Sequence, residues 1–245
     1  ILPMKAIILL AGKGSRIRKY TNIFPKCLIK VNNKTLLDRQ IEILNKIGVK
    51  DVFGVTGFKS KKIKNKFLKK IYNYNYNHNE QLDSLFYSKR VLKENVLIIF
   101  GDTIFEKEIL EDLIKEKKGN IILSVDTNWK QRYVNRIDHP YDQADKVKFN
   151  KMNYLMDIGK NIDFKKSNAE FLGIMKLNNQ GCNIFKKEYE KLKNKFDTSN
   201  LQVHNFIKHL IKQNIRIHVN KTKRKYMEID TLNDLKIAKK IFNNN

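Results

Sequence analysis

The chain has 245 residues with a formal net charge of +25 at pH 7, and 41% of its residues are hydrophobic. This length suits one α/β domain with a sizeable core. No stretch approaches the roughly 20 apolar residues of a transmembrane helix, and no secretory signal is recognisable. The two cysteines, Cys27 and Cys182, show no metal or redox spacing. We therefore expect a cytoplasmic protein with no membrane partner.

The large positive charge fits either nucleic-acid binding or an acidic small substrate. The lysines are spread along the whole chain, no aromatic–basic array accompanies them, and Asn and Ile are abundant as well. This pattern indicates compositional bias together with attraction of phosphate. We expect no nucleic-acid partner, and a basic nucleic-acid-binding protein is the distant alternative.

The N-terminal segment contains the first functional signal. Residues 1–3 precede the first methionine, so we expect them to be a non-native or upstream remnant and predict a single domain over 4–245. An apolar strand at 4–10 runs into a loop at 11–16 that holds two glycines and two basic side chains. Such a loop presents backbone N–H groups to phosphate, and glycine permits close approach. The loop is predicted to bind a nucleoside triphosphate.

The first half of the chain alternates strands with helices. Predicted strands lie at 29–31, 49–56, 72–76, 96–100 and 120–125. Predicted helices lie at 36–47, 59–71, around 85–92 and from 104 or 106 to 117. This order predicts an α/β fold, a Rossmann-like three-layer sandwich with a mostly parallel mixed central sheet. The glycine loop and Asp102 both follow strands, which places them at the carboxyl edge where ligands bind.

The second half begins with a long polar connection at 126–145, of a length that is usually functional. A hairpin is predicted at 146–149 and 154–158, with further strands at 171–177, 215–219 and 226–230. Helices are predicted at 180–195, 202–212 and 232–242. Thr231 and Asp234 form a capping-box pattern at the start of the last helix.

Three motifs resemble those of the nucleotidyltransferases that activate phosphorylated sugars and alcohols. Residues 9–16 followed by Pro25–Lys26 resemble the N-terminal motif, with Leu10 where the family usually has alanine. Gly101–Asp102 resembles the first metal carboxylate, and residues 228–235 resemble the second. The resemblance spans nearly the whole chain. It implies the nucleotide-diphospho-sugar transferase type of fold and a reaction in which a substrate phosphate displaces pyrophosphate.

The resemblance also implies site residues. Arg16 would hold the triphosphate, and Lys26 would reach the α-phosphate or the incoming phosphate. Asp102 and Asp230 would hold Mg²⁺, which prefers oxygen ligands and neutralises charge during in-line displacement. The residues implied to bind the nucleotide are Leu10, Ala11, Gly12, Lys13, Gly14, Ser15, Arg16, Gln81, Ser84 and Gly101. Both aspartates also suit helix caps, and Glu228 suits a structural partner better than a ligand.

Residues 125–129, 132, 136, 139–140 and 144–147 resemble the middle region of small CTP-dependent cytidylyltransferases that act on phosphocholine, phosphonates or phosphoglutamine, and 169–173 resemble a later strand of that family. This similarity implies CTP and a small phosphorylated acceptor as partners, and it allows a homodimer. The alternative is a sugar-1-phosphate uridylyl- or thymidylyltransferase. The residues expected to bind the acceptor are Asp126, Trp129, Arg132, Lys146 and Glu170.

Two kinds of acceptor remain open. Trp129 with Tyr133 and Tyr141 could cage a choline cation. Arg132, Arg136 or Lys146 could instead bind the carboxylate of an amino-acid acceptor, and the positive charge of the chain favours an anionic acceptor.

Overall fold

A computed structural model describes residues 3–243, apart from the side chain of Arg18. The prediction about residues 1 and 2 therefore lies outside the described residues. The strands are β1 (Met4–Leu10), β2 (Lys30–Val31), β3 (Lys34–Thr35), β4 (Asp51–Thr56), β5 (Leu68–Tyr72), β6 (Asn95–Phe100), β7 (Thr103–Phe105), β8 (Ile121–Asp126), β9 (Lys146–Phe149), β10 (Leu155–Gly159), β11 (Ala169–Leu177), β12 (His218–Thr222) and β13 (Tyr226–Glu228). The helices are α1 (Arg18–Thr21), α2 (Leu36–Lys46), α3 (Gln81–Phe86), α4 (Glu108–Lys115), α5 (Trp129–Arg132), α6 (Asn179–Lys193), α7 (Val203–Lys212) and α8 (Leu232–Ile241).

The central sheet confirms the predicted α/β architecture. Its strand order is β10-β9-β11-β6-β1-β4-β5, and β8 pairs with both β11 and β12. Strand β1 lies parallel between β4 and β6, β5 extends the parallel part, and β11 runs antiparallel to β6. The sheet is therefore mixed and mostly parallel around β1, and the carboxyl ends of β1 and β6 share one edge.

Two apolar cores cover the two faces of this sheet. Along β1, Ile7 packs into one core, whereas Ala6 and Ile8 pack into the other. The first core contains the apolar sides of α3, α6 and α7, and the second contains those of α2 and α4. Because neighbouring side chains of a strand point to opposite faces, near-continuous apolar strands require cover on both sides. The result is the predicted three-layer arrangement.

A two-stranded sheet beside the central one brings distant parts of the chain together. Strand β13 pairs antiparallel with β7, with Thr103 opposite Glu228. The Ile229 amide donates to the Asp102 carbonyl at 2.9 Å. The helix predicted from 104 or 106 therefore begins only at Glu108, because residues 103–105 pair as a strand.

The helix predicted at 59–71 is wrong. Its stripe of Ile63, Phe67 and Ile71 has helical spacing, yet the side chain of Phe67 is 50% exposed. Residues 60–62 form one short helical turn, and Asn65 then starts a turn into β5, which pairs parallel with β4. Pairing with β5 gives hydrogen-bond partners to the backbone N–H and C=O groups at the edge of β4, and it buries Leu68. These two gains outweigh the local helical pattern.

The helix predicted around 85–92 is displaced: α3 covers Gln81–Phe86, and residues 87–91 form turns. The other elements differ from the predictions mainly at their ends. The strand predicted at 72–76 contributes only Tyr72 to β5, because the side chain of Asn73 accepts the Asn75 amide at 2.9 Å in a turn. The capping box of Thr231 and Asp234 at α8 is confirmed. Within the described residues no helix is long and apolar enough to cross a membrane. The single domain over 4–245 stays a prediction.

The corrected strand can be tested by comparing two neighbouring side chains. Leu68→Ala should lower the free energy of unfolding by about 2 kcal/mol, because Leu68 is buried against Gly54. Phe67→Ala is the matched control and should cost under about 1 kcal/mol, because Phe67 is half exposed. Urea denaturation measures both. A larger loss for Phe67→Ala would restore the helical interpretation.

Candidate active site

One cavity of about 410 Å³ lies at the carboxyl edge of β1 and β6. This size is within the range of small-molecule sites. Every residue predicted to bind the nucleotide or the metal lines this cavity, and so do Arg16 and Lys26. The structure thus brings the N-terminal glycine loop and the two distant carboxylates to one place. Their chemical roles stay predictions.

The two glycines of the loop at 11–16 have different structural roles. Gly14 has a φ of +61°, and a Cβ there would lie 2.9 Å from Thr21 Cγ2. Thr21 Oγ1 also donates to the Gly14 carbonyl at 3.0 Å, which ties the loop to α1. At Gly12 a Cβ would enter open space, with no atom within 4 Å. Gly14 is therefore needed for the turn, whereas Gly12 leaves backbone open to a ligand.

Two carboxylates share one ammonium group at the centre of the cavity. Lys26 Nζ donates to Asp102 Oδ2 at 2.8 Å and also to Asp230 Oδ1. Arg16 Nη2 lies 2.6 Å from Asp230 Oδ2, and Arg16 also donates to Gln143. Because Asp102 Oδ2 and Asp230 Oδ1 both accept from Lys26 Nζ, the distance between these two oxygens is at most the sum of the two hydrogen-bond lengths. The predicted convergence of Asp102 and Asp230 is confirmed.

The charges in this cluster shift one another's pKa. Burial alone would lower the pKa of Lys26, but Asp102 and Asp230 outweigh it and raise that pKa. Burial opposes ionisation of Asp230, yet Lys26 and Arg16 hold its pKa below the ordinary value. Burial and the neighbouring Asp230 and Asp102 raise the pKa of Glu228 well above its ordinary value. A third negative charge is therefore disfavoured in this cluster unless a further cation binds beside it.

The carboxylates fit a divalent cation with oxygen ligands. Asp102 Oδ1 is buried and makes no hydrogen bond, so this oxygen has an unused lone pair beside the cavity. Ligand atoms of Asp230, Glu228 and His139 also lie within 4.8 Å of one another. Carboxylate oxygens suit Mg²⁺, whereas a histidine nitrogen suits softer metals better. Asp102 and Asp230 are thus the donor pair that fits magnesium.

Asp234, behind Asp230, is structural. Its Oδ2 accepts from the Asp230 amide at 3.0 Å and from the Thr231 amide at 2.9 Å. Its Oδ1 accepts from Arg136 Nε at 2.8 Å, and Arg136 also donates to the Glu228 carbonyl at 3.2 Å. This fully buried pair joins the 126–145 connection to the loop that carries Asp230.

The loop that leads to Gln81 and Ser84, two residues implied to bind the nucleotide, is held by amide side chains. Asn73 Nδ2 donates to Asn79 Oδ1 at 2.8 Å and lies 3.3 Å from Ser84 Oγ. The Glu80 amide donates to the Ser199 carbonyl at 2.7 Å. Gln81 lines the cavity, and its side chain makes no hydrogen bond within residues 3–243. Gln81 therefore offers a free donor and acceptor in an ordered loop.

The residues predicted to bind the acceptor are mostly elsewhere. Glu170 lines the cavity, but its carboxylate accepts from both Arg132 and Tyr133. Arg132 Nε also donates to Asp126 Oδ2 at 2.7 Å, so one guanidinium is shared by two carboxylates inside the protein. Arg132 and Asp126 therefore do not line the cavity, contrary to the expectation.

Two further acceptor residues are corrected in the same way. Trp129 is fully buried against Tyr133 and Phe164, so it contributes no exposed face to a cage. Lys146 is buried, and its Nζ donates to the carbonyls of Tyr141 and Asp142 at 3.3 and 3.4 Å. Trp129 and Lys146 therefore point into the protein, where their neighbours pack against them or accept their hydrogen bonds, and not into the cavity.

Sequence reasoning missed several lining residues. They are polar or aromatic side chains on loops and strand ends from separate elements: Tyr76, Asn77, His139, Gln143, Asp145, Lys160, Phe171 and Gln202. Lys160 directly follows β10, and its position at a strand end was the signal available. The sequence indicates only loop structure for His139, yet this residue is buried with Nδ1 3.3 Å from Asp234 Oδ2.

Comparison with known proteins identifies the class. Residues 6–141, more than half of the chain, match the MobA-like NTP transferase domain. The chain belongs to this family, and it is a nucleotidyltransferase whose relatives include cytidylyltransferases.

Two relatives show how far the similarity extends. The CTP:phosphoglutamine cytidylyltransferase of Campylobacter jejuni is 25% identical, over 96% of this chain and 98% of its own length. The choline-phosphate cytidylyltransferase of Streptococcus pneumoniae is 33% identical, over 46% of this chain and 51% of its own length.

Solved structures confirm the fold. The CTP:phosphocholine cytidylyltransferase from Streptococcus pneumoniae aligns with a TM-score of 0.76 at 20% identity, covering 98% of this chain and 100% of that one. The inositol-1-phosphate CTP transferase from T. maritima aligns with a TM-score of 0.77 at 23% identity, covering 97% and 96%.

Glu228→Gln is expected to stabilise the metal-free protein near neutral pH. The raised pKa of Glu228 means that ionisation costs folding free energy once the pH exceeds the unfolded-state pKa of about 4.3. Glutamine keeps the shape without the charge, so the free energy of unfolding should rise by about 1 kcal/mol at about pH 7.5. Urea denaturation at about pH 7.5 and about pH 4 measures this difference.

The pH dependence supplies the control. At about pH 4 the acid is protonated in the folded protein and largely so in the unfolded chain, so the gain should nearly vanish. Glu108→Gln, on the partly exposed side of α4, should change little at either pH. A loss of stability for Glu228→Gln near neutral pH, or an equal gain at both pH values, would contradict the assigned repulsion.

Proposed function

We propose that the protein is a Mg²⁺-dependent cytidylyltransferase, which joins CTP to a small phosphorylated acceptor and releases pyrophosphate. The observation that carries this proposal is the meeting of Asp102, Asp230 and Lys26 beside the glycine loop in one cavity. The names of the relatives, CTP:phosphoglutamine and choline-phosphate cytidylyltransferase, support CTP as the nucleotide.

We assign the nucleotide to the end of the cavity formed by the glycine loop and α3. The backbone around Gly12 is open to a phosphate, and Lys13 and Arg16 add positive charge there. Gln81 carries an uncommitted amide whose donor and acceptor groups can pair with the polar edge of cytosine. Ser84 lines the same end of the cavity.

Magnesium bound by Asp102 and Asp230 would supply a positive charge next to the α-phosphate. The Lys26 ammonium group lies between these carboxylates and can stabilise the negative charge that develops in the transition state. Arg16 would orient the triphosphate. The acceptor attacks through a phosphate oxygen, which is already an anion, so the residues of the chain need only position the two substrates.

The proposal is tested by measuring pyrophosphate release with CTP, UTP, GTP and dTTP against a panel of phosphorylated acceptors. Turnover is expected with CTP and lost when the divalent cation is chelated. Asp102→Asn should lower turnover by about 100-fold or more, because a neutral amide holds the metal weakly. Asp112→Asn is the matched control, since Asp112 is exposed on α4 away from the cavity.

The nucleotide preference decides between related activities. Turnover with UTP or dTTP and a sugar 1-phosphate would replace the proposal by a uridylyl- or thymidylyltransferase. Unchanged turnover of Asp102→Asn, with a melting temperature like that of the wild type, would remove Asp102 from the mechanism.

A further inference from the structure

The charges that line the cavity differ in sign from the chain as a whole. Although the net charge is +25, the lining contains six acids and four Lys or Arg residues. The acids are Glu80, Asp102, Asp145, Glu170, Glu228 and Asp230, and the bases are Lys13, Arg16, Lys26 and Lys160. A cavity of this composition suits a ligand that carries a cation as well as phosphate.

Asp145 is a cavity acid that forms no ion pair with Lys or Arg among the described residues. Asp102 and Asp230 pair with Lys26, and Glu170 pairs with Arg132, which Asp126 shares. Glu80 is exposed, and Glu228 lies beside Asp230. Asp145 Oδ1 is buried 3.0 Å from His204 Nδ1, without a well-aligned hydrogen bond. Asp145 Oδ2 makes no hydrogen bond within residues 3–243, so it is the oxygen that can face the cavity.

Neighbouring elements fix the position of this carboxylate. The Phe171 amide donates to the Asp145 carbonyl at 2.9 Å, which anchors Asp145 just before β9. His204 lies in the first turn of α7, is 8% exposed, and packs beside Gly159. The sheet therefore holds the backbone of Asp145, and the Asp145 side chain faces the buried imidazole of His204.

A base stands next to Asp145 without neutralising it. Gly159 of β10 pairs with Lys146 of β9 as the last pair of their antiparallel ladder, so Lys160 and Asp145 are the residues that directly flank this end of the ladder. Both side chains line the cavity, yet no ion pair joins them within 4.0 Å in the described part of the chain. Because Asp145 and Lys160 are not paired with each other, each can bind a group of opposite charge on the same ligand.

We propose that Asp145, oriented by His204, binds a primary ammonium group of the acceptor. This rests on the proposed function and makes the acceptor an aminoalkyl or amino-acid phosphate. A quaternary ammonium has no N–H to donate to the free Asp145 oxygen, whereas a primary ammonium has three. Aromatic side chains also line the cavity, so the direct comparison with phosphocholine decides between the two cations. Asp145 is then a specificity-determining residue.

The test compares ligands that differ only at the nitrogen. Calorimetric titration of the protein with 2-aminoethyl phosphate, 2-hydroxyethyl phosphate and phosphocholine gives three affinities without any turnover. The aminoethyl compound should bind about 10- to 100-fold more tightly than the hydroxyethyl compound, the range for a hydrogen bond to a charged group. Asp145→Asn should remove this preference and leave the affinity for the hydroxyethyl compound within about twofold.

Asp142→Asn is the matched control, because Asp142 is exposed three residues away and does not line the cavity. It should keep the wild-type preference. His204→Asn should weaken the preference without abolishing it, because Asp145 keeps its charge but loses its orienting neighbour.

Three outcomes overturn the inference: equal binding of the amine and the alcohol, a preference that survives Asp145→Asn, or tightest binding of phosphocholine. The last outcome would favour a quaternary ammonium instead. The proposed function fails separately: it falls if no acceptor releases pyrophosphate from CTP, or if turnover requires UTP or dTTP with a sugar 1-phosphate.

Discussion

The pairing of β7 with β13 is the constraint on which the site depends. Its register places Thr103 opposite Glu228, and the hydrogen bond from Ile229 to the Asp102 carbonyl continues the pairing by one step. Asp102 and Asp230, 128 positions apart in the sequence, therefore flank the same short ladder. A one-residue slip would turn these side chains to opposite faces. The capping box at α8 holds the Asp230 end, because Asp234 accepts from its amide.

The second feature that follows is a balance of buried charge. Asp102, Asp230 and Glu228 crowd one side of the cavity, and Lys26 and Arg16 compensate only in part. Repulsion among buried carboxylates destabilises the free protein, and a bound cation would relieve it. Away from these carboxylates, Arg136 pairs with Asp234, and Arg132 pairs with both Asp126 and Glu170, which holds the polar connection against the protein interior. Asp145 and Lys160 line the cavity, and no ion pair within 4.0 Å joins them in the described residues.

The sequence predicted the sheet and the position of the glycine loop because their signals are local, whereas Arg16, Lys26 and Asp230 were implied by the resemblance to nucleotidyltransferases. Apolar runs such as Met4–Leu10 need cover on both faces, and the glycine loop and Asp102 follow such runs directly. The prediction was wrong at residues 59–71. There the chain forms β5 because β5 pairs with the edge of β4, and no residue within 59–71 indicates that this edge is available. The prediction failed again at Trp129 and Lys146, because burial of a side chain depends on partners that are distant in sequence. Lys160 and Asp145 become neighbours only through the β9–β10 register.

The central claim is that Asp102 and Asp230 hold one cation on the nucleotide beside the glycine loop. A crystal structure with Mn²⁺ and a non-hydrolysable CTP analogue, with Mn²⁺ located by anomalous scattering, tests it most directly. The account predicts an anomalous peak bonded to a carboxylate oxygen of each aspartate and to a nucleotide phosphate at the glycine loop. A peak held by His139 and Glu228 without Asp102, or a nucleotide bound outside this cavity, would contradict it.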